Sequence, residues 1–286
     1  MTHWKNLFRQ FGFLVVVFTL VPSGSSMADS VDHQISGEWV QGGLLAGRVS
    51  KEIRVKLDGD TVFTDQDGLF VIGLARDAAP EATLTFFEHG EEVGKATYQV
   101  KQREYDIQRV TGIPQTIMQP SDEDLERIGR EANQVAEARK SFLLDQHFFD
   151  DFVAPAEGII TGVYGSQRYY NGDPGNPHYG IDYAGPVGAP VTTPAEGVVI
   201  LAEPDLFYSG GTIIIDHGYG VSSTLMHLSS VDVMIGQRVV PGDLVGKIGA
   251  TGRVTGPHLD WRMNWRTVRI DPQMLLDNTL PNPLNN

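Results

Sequence analysis

Cysteine is absent from the 286-residue sequence, and positive charge is scarce. Without cysteine there can be no disulfide framework, thiolate metal site or cysteine nucleophile, so a metal site must use His, Asp or Glu. Only 22 Lys and Arg stand against 36 Asp and Glu, which gives a net charge of −14. Such a chain lacks the cationic field that phosphate backbones require, and we expect no nucleic-acid partner.

Long apolar runs are also missing beyond the N-terminal segment. Lys5 and Arg9 precede an uncharged apolar run over residues 11–21, and small residues follow at 22–28. This layout predicts a secretory signal peptide over residues 1–28, with an uncleaved N-terminal anchor as the alternative. No later stretch reaches the roughly 18 apolar residues of a membrane span. We therefore expect an exported protein, in the periplasm, with no stable membrane span after signal cleavage.

Residues 29–112 show the alternation of a small antiparallel β-sandwich. Segments such as Ile53–Leu57 and Thr83–Phe87 alternate with period two and are separated by Asp-Gly turns. The segment 65–68 resembles the start of a calcium loop, but the later ligands are missing, which favours a hairpin turn.

A single helix is predicted within the linker, residues 113–154. Ser121 and Asp124 form a capping box, and acidic residues occupy the first turn. The residues that follow at helical spacing are Leu125, Ile128, Ala132, Val135, Arg139 and Phe142.

Strands return over residues 155–276, where short apolar segments lie between dense glycines and prolines. This pattern predicts a second antiparallel β domain, followed by a C-terminal tail over residues 277–286. The predicted fold is therefore mostly β, with one helix between two β domains.

The first candidate metal ligands are His178 and Asp182, four residues apart. Pro177 and Gly180 argue against a helix, and in a straight strand the two Cα atoms would lie about 13 Å apart. Joint metal ligation therefore requires a bend, which Gly180 permits. The alternative is a buried histidine bonded to a neighbour, beside an aspartate that caps a turn.

Two further segments carry candidate site residues. His258 and Asp260 are two apart, so on a strand both side chains point to the same face. His227 follows an apolar strand, and by itself it is more typical of a core histidine than of a catalytic group.

Together these segments resemble one family, the M23 zinc metallopeptidases of the lysostaphin/LytM type. The similarity lies in the HxxxD segment of His178 and Asp182 and in three longer stretches. These stretches are PVGAPVTTPAEGVV (186–199), HGYGVSSTLMHLS (217–229) and VVPGDLVGKIGATGRVTGPHLDW (239–261).

The resemblance covers residues 155–272 and implies an antiparallel β groove that holds a Zn²⁺ ion. It implies that His178 and Asp182 are metal ligands and that His227 and His258 form the catalytic pair. The activity implied is cleavage of peptide cross-links in peptidoglycan by metal-bound water, with stem peptides as the substrate.

The sequence departs from the family at Asp260, where the motif has its third ligand as histidine. Aspartate binds zinc at about 2.0–2.2 Å, so we expect Asp260 to be the third ligand. Two carboxylates would leave the metal a poorer Lewis acid than one carboxylate with two imidazoles. The alternative hypothesis is a catalytically weak or inactive LytM-like module that binds peptidoglycan or activates another cell-wall hydrolase. A cell-wall hydrolase or an envelope protein is the expected protein partner.

Overall fold

The structure is a computed structural model that describes residues 31–111, 120–277 and 280. The predicted signal peptide, residues 1–28, lies outside the described residues, as does most of the predicted tail, residues 277–286. No helix in the described part is long and apolar enough to cross a membrane.

The N-terminal region consists of strands connected by short turns. They are β1 (His33–Ser36), β2 (Leu44–Val49), β3 (Ile53–Leu57), β4 (Asp60–Val62), β5 (Leu69–Gly73), β6 (Glu81–Glu88), β7 (Glu91–Gln99) and β8 (Ile107–Val110). One sheet has the order β1-β2-β5 and the other β4-β3-β6-β7, and both contribute to one cluster of buried side chains. In strand β6, for example, every second side chain faces this cluster: Ala82, Leu84 and Phe86 are buried while their neighbours are not. The predicted mostly antiparallel β fold is confirmed.

The C-terminal region is built on one large sheet. Its elements are β9 (Ile159–Gly162), β10 (Gln167–Tyr170), β11 (Asp173–Pro174), β12 (Gly180–Ala184), β13 (Pro190–Thr192), β14 (Gly197–Leu206), β15 (Gly210–Gly218), β16 (Val221–Val231), β17 (Arg238–Val239), β18 (Leu244–Ile248), β19 (His258–Trp265), β20 (Val268–Ile270) and the short helix α2 (Pro272–Asp277). The main order is β17-β14-β15-β16-β19-β12-β9, and all of these neighbours are antiparallel.

Strand β19 positions the site through its alternation. Leu259, Trp261 and Met263 are fully buried in the core. Because successive side chains on a strand point to opposite faces, His258 and Asp260 lie on the other face.

Helix α1 (Asp122–Ala138) joins the two β regions. As predicted, Ser121 Oγ accepts a hydrogen bond from Asp124 N at 3.2 Å and the Asp124 carboxylate accepts one from Ser121 N at 3.1 Å. No side chain of the helix is fully buried, and Leu125 of its apolar stripe is 53% exposed. The inner face of the helix borders a cavity, which Ile128 and Val135 help to line, and Val135 and Ala138 pack against a small buried cluster on β14 and β15.

The two β regions are in contact. Strand β8 pairs in parallel with β10, and Arg103 forms an ion pair of 2.7 Å with the buried Asp271. The Tyr219 hydroxyl donates to Asp65, which sits in the turn that the sequence predicts at residues 65–68.

Candidate active site

Two carboxylates face each other across neighbouring strands. In the antiparallel pairing of β12 with β19, Asp182 lies directly opposite Asp260. Two glycines leave room for them. A Cβ at Gly162 would lie 2.2 Å from Asp182 Oδ2, and one at Gly180 would lie 2.6 Å from Asp260 Oδ1. Like charges opposite each other are destabilising, so this register requires a cation beside them.

His178 reaches these carboxylates from outside the strand. Strand β12 begins at Gly180, and the His178 backbone instead pairs with the backbone of Gly165 and Ser166, at 2.7 Å in both bonds. Its Nε2 lies 3.0 Å from Asp182 Oδ1 and 3.5 Å from Asp260 Oδ2. The chain therefore turns before β12, which meets the requirement that the spacing of His178 and Asp182 imposes.

The hydrogen bonds of this cluster fit a metal ion. His178 Nδ1 lies 3.3 Å from the carbonyl oxygen of Val163, so as the donor it leaves a lone pair on Nε2. His178 Nε2 and Asp182 Oδ1 are both buried and make no hydrogen bond. The ligand atoms of His178, Asp182 and Asp260 all lie within 4.8 Å of one another. A lone pair that faces carboxylate oxygens requires a cation or a proton between them.

In the metal-free protein a proton fills this role. Burial by itself would lower the pKa of His178, but the negative charges of Asp182 and Asp260 beside it outweigh burial and raise the pKa to about 10. Burial would raise the pKa of Asp260, yet Arg262 and His178 hold it below its ordinary range. The cluster is therefore built to hold positive charge.

Arg262 is a site residue that the sequence interpretation missed. Its Nη2 lies 2.5 Å from Asp260 Oδ2, and its Nε lies within 3.1 Å of both carboxylate oxygens. Arg262 lies opposite Gly180, where a Cβ would come within 2.7 Å of the arginine Cγ. The available signal was its position two residues after Asp260 on one strand, which places both side chains on the same face.

A bulge places His227 in the cleft. Met226 lies opposite Asp260, so regular alternation would turn His227 to the opposite face of β16. The register of β15 with β16 shifts between the Ile213–Leu225 and Gly211–Leu228 pairs, and His227 has a φ of 66°. Bulges re-aim side chains in this way. As a result the rings of His227 and His258 lie 4.9 Å apart.

Both imidazoles keep one nitrogen as a proton acceptor. Nδ1 of His227 bonds to the carbonyl oxygen of Thr251 at 3.0 Å, and Nδ1 of His258 bonds to that of Gly256 at 2.9 Å. Each Nδ1–H donates, so each Nε2 carries a lone pair. His258 Nε2 lies 3.9 Å from Asp182 Oδ1. Burial lowers the pKa of His227, which keeps its imidazole neutral at pH 7.

The structure thus brings together all five residues that the sequence singles out. Three of them, His178, Asp182 and Asp260, offer ligand atoms to one point. The other two, His227 and His258, lie beside that point with their rings tilted by 48° to each other. Three candidate ligand side chains with two further imidazoles nearby are the chemical parts of metal-assisted hydrolysis.

Comparison with known proteins places the domain. Residues 176–272 match the model of peptidase family M23. Over 87 residues the chain is 42% identical to the peptidoglycan DD-endopeptidase ShyA of Vibrio cholerae, which covers 30% of this chain and 20% of ShyA. Over 106 residues it is 37% identical to the DD-carboxypeptidase/endopeptidase Mpg of Neisseria meningitidis, which covers 37% of this chain and 24% of Mpg. The match therefore spans about a fifth to a quarter of each relative.

A solved structure extends the likeness to most of the fold. A crystal structure of a Pseudomonas aeruginosa protein described as an M23 peptidase superimposes with a TM-score of 0.63 and 29% sequence identity. The superposition covers 84% of this chain and 95% of that one. The motifs, the convergent side chains and these matches together show that the chain carries a peptidase domain of family M23.

Proposed function

We propose that this protein is an exported zinc endopeptidase that hydrolyses peptide cross-links of peptidoglycan in the periplasm. The observation that carries the proposal is the convergence of His178 Nε2 and Asp182 Oδ1, both buried and without hydrogen bonds, on the carboxylate of Asp260. The names of the relatives, which are peptidoglycan DD-endopeptidases and a DD-carboxypeptidase/endopeptidase, support the substrate.

The donor set fits zinc with an open coordination position. One imidazole and two carboxylates give three protein ligands, the usual number at a catalytic zinc site. When bound, zinc supplies a Lewis acid that polarises the substrate carbonyl and lowers the pKa of water.

Arg262 offsets the extra negative charge that a second carboxylate ligand would place on the metal. Asp260 shares its negative charge with the guanidinium of Arg262, so the pair together is close to neutral, as an imidazole ligand is. The bond also fixes the orientation of the Asp260 carboxylate, the role that hydrogen-bond partners of metal ligands have in other sites. We infer that Asp260 with Arg262 replaces the family's histidine in charge as well as in position.

His227 and His258 carry the proton. Each has an Nε2 lone pair in the cleft, because each Nδ1–H donates to a backbone carbonyl. One imidazole accepts the proton of the attacking water, and the pair returns a proton to the leaving amine. The two rings, 4.9 Å apart, also place positive charge near the oxyanion once one of them is protonated.

The experiment combines metal analysis with a digest. The protein without its predicted signal peptide, residues 29–286, made metal-free and reloaded with zinc, should hold one zinc and release cross-linked peptides from purified peptidoglycan, as identified by mass spectrometry. Asp182→Ala should lose both the zinc and the release. One zinc per chain with no cleavage at neutral or mildly alkaline pH would instead indicate a module that binds peptidoglycan or activates another hydrolase. Failure to hold zinc would contradict the proposal.

A further inference from the structure

A second arginine lies on the same face of the sheet, further from the candidate metal ligands. Arg262 and Asn264 follow Asp260 on β19, and Arg269 of β20 lies directly opposite Asn264. Arg269 Nη1 donates to Asn264 Oδ1 at 2.7 Å. Arg269 lines the same cleft as His178, Asp182 and Arg262.

A third arginine reaches this face from the end of helix α1. Arg139 Nη1 donates to Ser222 Oγ at 3.1 Å, and its Nη2 donates to Thr224 Oγ1 at 2.7 Å. On β16, Thr224 lies opposite Arg262. Arg139 therefore extends over the sheet beside Arg262, where it also lines a cavity of about 1060 Å³ together with Arg269.

No carboxylate in the described part of the chain pairs with these two arginines. Over residues 31–111, 120–277 and 280, neither Arg139 nor Arg269 forms an ion pair with a carboxylate. Arg139 Nε is buried and has no hydrogen-bond acceptor. Burial, with Arg269 and Arg262 nearby, lowers the pKa of Arg139 to about 9.

This imbalance is notable in so acidic a chain. With a net charge of −14, the protein has many carboxylates that could pair with these side chains, yet hydroxyl and amide groups contact them instead. Two guanidinium groups that line one cavity and have no counter-ion among the described residues are suited to a planar anion, since a guanidinium can bind a carboxylate through two parallel hydrogen bonds.

We propose that Arg139 and Arg269 bind a free carboxylate of the substrate, carried by a residue next to the scissile bond. The proposal deepens the proposed peptidase function and rests on it. Arg139 contacts Thr224, which lies opposite Arg262, two strand residues or about 6.6 Å from Asp260. Arg269 lies opposite Asn264, four strand residues or about 13 Å from Asp260, but its long side chain lines the same cleft as His178 and Asp182. The carboxylate has two sources, the C-terminus of a linear stem peptide or a free carboxylate beside a cross-link.

The test compares each substrate with its carboxamide. Wild-type protein should hydrolyse the carboxylate form with a kcat/KM roughly 10- to 100-fold above that of the carboxamide, the value of one or two charge-assisted hydrogen bonds. In Arg139→Gln, Arg269→Gln and the double variant this preference should shrink stepwise towards one, because the loss in kcat/KM should be larger for the carboxylate form than for the carboxamide. Arg130→Gln, an exposed position on the same helix, is the matched control and should keep the full preference.

Two substrate pairs separate the sources of the carboxylate. One pair is a linear stem pentapeptide with a free or amidated C-terminus, and the other is a cross-linked dimer with a free or amidated carboxylate beside the cross-link. A preference in the linear pair assigns the site to a chain terminus, and one in the dimer pair assigns it to the cross-link. Absence of a preference in both pairs overturns the proposal.

A structural role of the arginines gives a different result. If the variants lose activity equally on carboxylate and carboxamide, the proposal is wrong. Calorimetry of the same peptides binding to the zinc-loaded wild-type protein and to the arginine variants separates this proposal from the peptidase proposal. Arginine-dependent binding of the carboxylate form without hydrolysis would keep the anion site and reject the peptidase function. Hydrolysis without a carboxylate preference would keep the peptidase function and reject the anion site. Arg269→Gln alone suffices for both tests if Arg139→Gln does not fold.

Discussion

The C-terminal region and its connection to the helix hold two clusters of the same composition, one histidine with two carboxylates. In each cluster the candidate ligand atoms lie within 4.8 Å of one another. The cleft cluster consists of His178, Asp182 and Asp260. The surface cluster consists of His147, Asp150 and Glu196. Composition and distance therefore do not distinguish them.

Their hydrogen bonds and burial do. In the cleft cluster the strand register fixes the two carboxylates, Asp260 is 2% exposed, and two ligand atoms have no partner. In the surface cluster His147 Nε2 already lies 3.3 Å from Arg238 Nη1, and the same Nη1 lies 3.5 Å from Glu196. A cation of the protein itself thus contacts the surface cluster at its histidine nitrogen. Buried ligand atoms without hydrogen-bond partners, more than proximity, are therefore what distinguishes the proposed metal site from the surface cluster.

The largest expected effect is a difference in zinc binding between ligand variants of the two clusters. Asp182→Ala should reduce bound zinc from one per chain to near zero and abolish hydrolysis, because a ligand is lost from a set of three. Asp150→Ala should leave both unchanged. Metal analysis after gel filtration measures the first effect and a peptidoglycan digest the second; equal loss in the two variants would show that the clusters are not different.

The next effect concerns a histidine beside each cluster. His227→Gln should lower kcat about 10²- to 10⁴-fold and retain zinc, because its Nε2 is a proton acceptor in the cleft. His217 instead bonds through both nitrogens, to the Glu196 carbonyl and to Ser223 Oγ. His217→Gln should therefore destabilise the fold by roughly 1–3 kcal/mol in urea unfolding and leave kcat unchanged in the folded fraction. A reversed pattern would exchange their roles.

The arginines at the two clusters should differ in their effect on stability. Arg262→Gln should destabilise the metal-free protein by roughly 2–3 kcal/mol, since it leaves the buried Asp260 with His178 alone. Zinc should restore much of this loss by binding the folded state. Arg238→Gln, on a half-exposed side chain, should change stability by less than about 0.5 kcal/mol. Urea unfolding with and without zinc measures both, and a metal-free Arg262→Gln protein as stable as the wild type would contradict the account.

The smallest expected effect is the release of a proton from His178 when zinc binds. His178, with a pKa of about 10, is protonated at pH 7 to 8 in the metal-free protein, and it must lose that proton to bind a metal. Zinc binding should therefore release about one proton. As the pH is raised towards 10, the apparent affinity for zinc should increase about tenfold per pH unit. Calorimetry in two buffers of different ionisation enthalpy measures the release. Zinc binding with no proton released would show that His178 is not a ligand.

The sequence predicted much of the site because its rules are local. The separation of two between His258 and Asp260 places both on one face of a strand, and β19 is such a strand. The capping box at Ser121 marks the start of α1. Likewise, the spacing of His178 and Asp182 required a turn, and the chain makes one before β12.

What the sequence did not predict depends on contacts between distant segments. The register that sets Asp182 opposite Asp260 comes from the pairing of β12 with β19. The bulge that redirects His227 depends on the alignment of β15 with β16. Arg139 did leave a signal, because it is an arginine at an apolar-stripe position of the predicted helix. Only the fold shows that the hydroxyls of Ser222 and Thr224 accept its hydrogen bonds.

The most direct test of the central claim is anomalous diffraction at the zinc absorption edge from crystals of the zinc-loaded protein. The account predicts one peak enclosed by His178 Nε2 and the carboxylates of Asp182 and Asp260. A peak at His147, Asp150 and Glu196 instead, or a cleft without a peak, would contradict it.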